Sequence, residues 1–107
     1  MHARTWRGST RASDRDAYSA YVNETGIAAY RATPGNRGAY LMTRLVGDRA
    51  DFLVMSFWDS LSDIEAFAGD DITAAVFYPE DDRYLIARDP VADNWLVAQP
   101  PRDLSVS

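Results

Sequence analysis

Residues 51–58, DFLVMSFW, are apolar at successive positions, and this feature most constrains the fold. In a strand, one face would carry Phe52, Val54, Ser56 and Trp58, and the other Leu53, Met55 and Phe57. A sheet that is apolar on both faces must be covered on both. Residues 38–46, GAYLMTRLV, form a second apolar run, and the short polar connection at 47–49 predicts that the two runs form a hairpin.

The remaining elements follow from breaks and periodicity along the chain. A strand is expected at 2–8, HARTWRG, followed by a helix in which Ser13 and Asp16 resemble a capping box and Gly26 bends or interrupts the helical pattern. The breaker TPGNRG precedes the hairpin, and a second helix should begin near Ser60 or Ser62 and end at Gly69. Residues 70–86 suggest short helical pieces, and residues 94–98, NWLVA, suggest a final strand.

This order predicts an α+β protein with a ferredoxin-like β-α-β-β-α-β protomer. We expect one domain over residues 1–98 and a polar C-terminal tail over residues 99–107. Two helices can cover one face of a four-stranded sheet, and nothing else in the chain remains to cover the other. A second copy could cover it, so we expect a homodimer through the sheet face, with the two sheets enclosing a barrel-like core.

Composition excludes several classes of function. The formal net charge is −5 and the 11 basic residues are scattered, which argues against a nucleic-acid partner. The absence of cysteine excludes disulfides, thiolate metal sites and a cysteine nucleophile. No apolar run approaches the about 18 residues of a membrane span, and no signal peptide is evident, so we expect a cytoplasmic protein without a membrane partner. His2 is the single histidine, and both a histidine metal cluster and a Ser-His-Asp triad would have to use it, so neither is expected.

Acidic and aromatic residues are crowded into residues 56–84. We interpret the acids, which are Asp70, Asp71, Glu80, Asp81 and Asp82, as helix-capping or solvated residues, because they lack the alternating order of a calcium loop. The aromatics allow two interpretations. They can be core packing, or several tyrosines can converge on a partly polar pocket between the helices and the sheet.

Three strings, YRATPGNRGA, SFWDSLSDIEAFAGDDI and AVFYPEDDRYL, resemble the antibiotic biosynthesis monooxygenase (ABM)-like family of dimeric α+β barrels, over about residues 3 to 98. The resemblance implies a face-to-face dimer with a pocket between sheet and helices in each protomer. Some members of the family oxidise anthrones or hydroquinones with dioxygen and no cofactor, others degrade haem, and others only bind small molecules. By position, Trp58 and Asn23 match a tryptophan and an asparagine that line the pocket of catalytic members. Asn94 stands where the related branch has a last-strand histidine, and no helix histidine is present to hold haem iron.

The leading hypothesis is therefore a cofactor-independent monooxygenase that acts on a small aromatic substrate. In it Asn23 would hold the substrate oxygen and Trp58 would pack against its ring, while no residue is assigned as the base. The residues expected to bind substrate are Tyr18, Tyr21, Phe67, Tyr78, Tyr84 and Asn94. The alternatives are a non-catalytic dimeric binding protein and a non-redox isomerase or cyclase. A cavity below about 300 Å³, or one filled by tyrosines, would count against an aromatic substrate.

Overall fold

In the computed structural model, which describes residues 1–99, one antiparallel sheet carries all the strands of the described chain. The strands are β1 (His2–Arg11), β2 (Asn36–Val46), β3 (Arg49–Trp58), β4 (Leu85–Arg88) and β5 (Asp93–Leu96). Their order is β2-β3-β1-β4, and β5 pairs with β1 beside His2–Thr5 while β4 pairs beside Gly8–Thr10. The final strand predicted at 94–98 corresponds to β5, and the predicted α+β class is confirmed. Residues 100–107 of the predicted tail lie outside the described part of the chain.

The chain between residues 70 and 86 differs from the prediction. Only α4 (Asp81–Tyr84) is helical there, and the strand β4 that follows it was not predicted. The carbonyl of Thr73 accepts a hydrogen bond from the Ala92 N–H, and the Ala75 N–H donates to the Pro90 carbonyl. These backbone groups bond to a distant segment instead of to their own helical turn, so residues 72–77 run across the surface without a helix.

The first helical region is one rod with a wide turn inside it. It consists of α1 (Arg15–Val22), a π-helical segment (Asn23–Ile27) and α2 (Ala28–Ala32), and the junction residues between these pieces keep right-handed helical dihedrals. Gly26 therefore lies in a local widening of the helix and not at a break. The predicted capping box at Ser13 is not formed, because Asp14 occupies the N-cap position and makes no side-chain cap bond.

The second helix, α3 (Leu61–Ala68), matches the prediction closely. The Ser60 hydroxyl accepts from the Asp63 N–H at 3.2 Å, which caps the helix, and donates to the Asp63 carboxylate at 2.9 Å. The helix ends at Gly69, whose φ of +91° lies in the region that favours glycine.

The two faces of β3 have different surroundings. Phe52, Val54, Ser56 and Trp58 are 0–5% exposed beneath the helices, and the core lies on this side of the sheet. The opposite side, which we call the outer face, carries Leu53, Met55 and Phe57 together with Tyr40, Met42 and Trp95. Tyr40, Met42 and Trp95 are 38%, 42% and 56% exposed and Phe57 is 8% exposed, so residues 1–99 leave most of this face uncovered. No helix in residues 1–99 is long and apolar enough to cross a membrane.

Candidate functional site

A small cavity of about 40 Å³ lies between the helix-facing side of the sheet and the helices. Residues 70–80, which connect α3 to α4, cross over it, and we call them the cover segment. Most of its walls are apolar, but three kinds of polar group reach it: a guanidinium, a carboxylate and several phenols. The lining residues include Arg4, Trp6, Tyr18, Val22, Tyr30, Val54, Phe67, Phe77, Tyr78 and Asp81.

Asp81 is a buried carboxylate in this wall. It is 5% exposed, and it accepts a hydrogen bond from the Tyr18 hydroxyl at 2.9 Å and another from the Tyr78 N–H at 2.7 Å. It forms no ion pair with any residue of the described chain, whereas its neighbour Asp82 is exposed and pairs with Arg88 at 2.6 Å. Asp81 is thus a hydrogen-bond acceptor at the cavity wall, and each of its two carboxylate oxygens holds one donor.

The sequence interpretation of Asp81 as a capping or solvated acid is incomplete. Asp81 does lie in the first turn of α4, but its carboxylate faces the interior. No local pattern distinguishes it from Asp82, because its partner Tyr18 lies 63 residues away along the chain. The signal that separates the two acids is tertiary, so sequence reasoning could not have found it.

The phenols around the cavity are held in their neutral form. Burial, with a further contribution from the neighbouring Asp81 carboxylate, raises the pKa of Tyr18 well above its ordinary value. Burial also raises the pKa of Tyr30, and the nearby Arg4 and Ser56 offset only part of that effect. Burial raises the pKa of Tyr78 as well. All three side chains are therefore hydrogen-bond donors at neutral pH.

Arg4 is the second charged group of the cavity and was not singled out from the sequence. It is 2% exposed, its Nη1 donates to the Ile72 carbonyl, and its Nη2 donates to the Ala74 carbonyl at 2.8 Å. The guanidinium carbon lies 5.9 Å from the centre of the Phe67 ring. Arg4 thereby fastens the cover segment to β1.

Three of the predicted site residues line the cavity: Tyr18, Phe67 and Tyr78. Trp58 does not line it. Trp58 is fully buried, its Nε1 donates to the Ser56 hydroxyl at 2.8 Å, and the cavity-lining rings of Tyr30 and Phe67 pack against it. The alternation of β3 places Trp58 on the helix-facing side, and it supports the wall of the cavity from behind.

The other predicted residues also lie outside the lining. Tyr84 packs on Tyr18 with ring centres 5.5 Å apart, and the Tyr21 hydroxyl accepts from the Glu80 N–H at 2.9 Å. Asn94 donates from Nδ2 to the Ile72 carbonyl at 2.9 Å. Asn23 is exposed, at the start of the π-helical segment, so the structure does not bring it to the cavity.

The charged side chains of residues 1–99 are not grouped as a metal site would require. Among residues 1–99, no group of three or more His, Asp or Glu side chains could hold a metal ion. The groups that do converge, a carboxylate, a guanidinium and three phenols, suit an organic molecule with polar substituents.

Comparison with known proteins gives a structural match but no sequence match. No family model matches the chain, and a search of curated proteins finds no significant relative. Among solved structures, the chain is similar to a point mutant of MhuD with two manganese protoporphyrin IX molecules bound per active site. The TM-score is 0.62 at 15% sequence identity, and the match covers 96% of this chain and 100% of that one. At this identity the match shows the fold alone, and it agrees with the ABM-like fold that the resemblance implied.

Proposed function

We propose that this protein binds a small aromatic molecule beneath the cover segment and oxidises it with dioxygen, without a cofactor, using Asp81 as the general base. The observation that carries the proposal is the buried Asp81 carboxylate, which faces an aromatic cavity without an ion-pair partner in the described chain. The fold is shared with a protein whose active site binds two manganese protoporphyrin IX molecules, which adds support for ligand binding by this chain.

The chemistry needs only a base and a site that stabilises an anion. Asp81 would remove a proton from an activated CH₂ group next to an aromatic carbonyl, and the carbanion would transfer its electrons to dioxygen to form a C–O bond. After protonation, the hydroperoxide loses water to give a carbonyl, so one oxygen atom enters the product and the other leaves as water. The Tyr18 hydroxyl, held neutral, would orient Asp81 and stabilise its charge.

Substrate entry requires movement of the cover segment. The cavity of about 40 Å³ is far below the about 300 Å³ that small-molecule pockets usually provide, which counts against an aromatic substrate as long as the cover segment stays in place. The segment is held by the bonds from Arg4 and Asn94, by backbone bonds to residues 90–92, by the Glu80 N–H bond to the Tyr21 hydroxyl, and by the packing of Phe77 on Trp6 and Arg88. Entry must break several of these contacts. In the proposal, a ligand displaces Phe77 and Tyr78 outward and occupies the space that they leave.

Oxygen uptake with a panel of anthrones and hydroquinones tests the activity, using protein stripped of metal and flavin. Asp81→Asn keeps the size of the side chain and removes the base, so we expect the rate to fall by about 100-fold or more. Asp82→Asn, at the exposed neighbouring position, is the matched control and should retain the rate. An unchanged rate in Asp81→Asn, or no uptake with any panel member, would contradict the proposal.

The same oxygen-uptake measurement tests the roles predicted for Trp58 and Asn23. Trp58→Phe should reduce the rate through the positions of Tyr30 and Phe67, which pack against the indole. Asn23→Ala should reduce it only if substrate reaches the exposed helix surface, so full activity in this variant would remove Asn23 from the site.

A non-catalytic binding protein is the second candidate, and the small, tyrosine-lined cavity favours it. Saturable binding of panel compounds without oxygen uptake would distinguish this candidate from the oxygenase. Conversion of a panel compound without oxygen consumption would instead identify a non-redox isomerase or cyclase that uses the Asp81–Tyr18 pair.

We also propose that the protein is a homodimer through the outer face. Met42, Leu53 and Met55 form an apolar surface on this face, flanked at one end by Arg44, Arg49 and Asp51. A second copy related by a two-fold axis would cover the apolar residues of both protomers with the same residues.

A further inference from the structure

We infer that Arg4 is the binding site for a carboxylate, and that the ligand of this cavity is an aromatic acid. The inference rests on the proposed function, because it assigns the class of ligand to the same cavity. It depends on the burial of Arg4, on the groups around it and on the hydrogen bonds that it leaves unmade.

The position of Arg4 in the sheet explains why it is buried. It lies inside β1, directly opposite Ser56 of β3 on one side and Asn94 of β5 on the other. All three side chains lie on the helix-facing side of the sheet. A guanidinium at such a position cannot reach solvent, and Arg4 is only 2% exposed.

Arg4 has no anionic partner in residues 1–99. Its described neighbours are neutral: the Phe67 ring, the Tyr30 phenol, and the carbonyls of Ile72 and Ala74. The buried carboxylate of the same cavity, Asp81, is instead occupied by Tyr18 and Tyr78. Buried arginines are normally paired, because an uncompensated charge in a low dielectric is costly.

The guanidinium also has unused hydrogen-bonding capacity. Of its five N–H donors, two serve the carbonyls of the cover segment, and the buried Nε has no partner in the described chain. The Oδ1 of Asn94, whose Nδ2 bonds to the same Ile72 carbonyl as Arg4, is likewise buried without a partner. A planar carboxylate can take two N–H bonds from one guanidinium and supplies the missing charge.

The proposed ligand would compete with the cover segment for Arg4. When a carboxylate binds Arg4, the bonds to Ile72 and Ala74 weaken, and the cover segment loses its attachment to β1. Recognition of the ligand's charge and opening of the cavity would thus occur in one step, which would let a cavity of about 40 Å³ admit an aromatic ring.

Matched pairs of probes test the inference: benzoate against benzamide, and 2-naphthoate against 2-naphthamide, by calorimetry at pH 7 and constant ionic strength. Because a hydrogen bond to a charged group is stronger than one to a neutral group, wild-type protein should bind each acid about tenfold or more tightly than its amide. Arg4→Gln should abolish this preference and leave amide affinity nearly unchanged, and Arg4→Lys should retain part of it. Arg31→Gln, the same change at an exposed position on α2, is the matched control and should keep the acid-to-amide ratio of the wild type.

The outcomes separate the two proposals. Equal affinity of wild-type protein for acid and amide would overturn the role of Arg4 while leaving the binding cavity in place, and this result does not depend on whether any variant folds. An acid preference that persists in a folded Arg4→Gln variant would also overturn it. Failure of all four probes to bind, together with no oxygen uptake, would overturn the proposed function and the carboxylate site with it.

Discussion

At the scale of single residues, the buried phenols couple stability to alkaline pH. Tyr18, Tyr30 and Tyr78 have raised pKa values because the folded protein withholds water from their ionised forms. In the unfolded chain each ionises near its ordinary pKa of about 10. The eleven basic residues are all arginine and there is no cysteine, so tyrosines are the only side chains expected to titrate between about pH 9 and 12.

The free energy of unfolding should therefore be constant up to about pH 10 and fall above it. Above this pH the unfolded state loses protons that the folded state keeps, so each of these phenols lowers stability as the pH rises, and Tyr18, the most strongly shifted, does so by at most about 1.4 kcal/mol per pH unit. Urea unfolding between pH 8 and 11 measures the slope, and Tyr18→Phe should make it shallower. A stability that does not change from pH 9 to pH 11 would contradict the raised pKa values.

At the scale of elements, two glycines that the sequence marks as helix breakers have different roles. Gly26 lies within the helical rod without a positive φ, and a Cβ added there would meet Tyr78 Cε2 at 3.8 Å, an ordinary contact. Gly69 ends α3 with a φ of +91°, and a Cβ there would meet no atom within 4 Å. The backbone at Gly26 accepts other residues. At Gly69 there is space for a side chain, but the backbone conformation favours glycine.

We expect Gly26→Ala to stabilise the protein by about 0.5–1 kcal/mol, because alanine loses less conformational entropy in a helix. Gly69→Ala should destabilise it by about 1–3 kcal/mol, because the dihedral angles at that position are nearly restricted to glycine. Urea denaturation of both variants at pH 7 measures the two changes. A loss of stability in Gly26→Ala would mean that the π-helical segment requires glycine.

The two helical regions also show why some elements follow from local sequence and others do not. α3 is set by Ser60, Asp63 and Gly69, which act on neighbouring backbone groups, and it was predicted correctly. The π-helical segment and the strand β4 depend on what they pack against. The four residues of β4 are too few to show a period, and their pairing with β1 is what makes them a strand.

At the scale of the whole molecule, the proposed homodimer places the outer face between two copies of the chain. We expect the wild-type protein to have a molar mass of twice the 12.0 kDa of the chain in light scattering. Met42→Glu places a charge in the apolar surface and should give a monomer, because an unpaired carboxylate cannot be buried between two sheets. Leu61→Glu, a matched change at 45% exposure on α3, should leave the dimer intact. A monomeric wild type would rule out the homodimer, and a dimeric Met42→Glu would place the interface elsewhere.

The sequence by itself determined the hairpin of β2 and β3, the helix α3 and the α+β order, because alternation, capping and glycine turns act between near neighbours. It also singled out Tyr18, Phe67 and Tyr78, which line the cavity, and their role in binding a ligand stays a prediction. Only the tertiary structure decided that Asp81 and Arg4 face one cavity. The partners that bury these two residues lie 63 to 70 positions away along the chain, so a charge that looks solvated in the sequence becomes part of the interior only when the sheet and the cover segment come together.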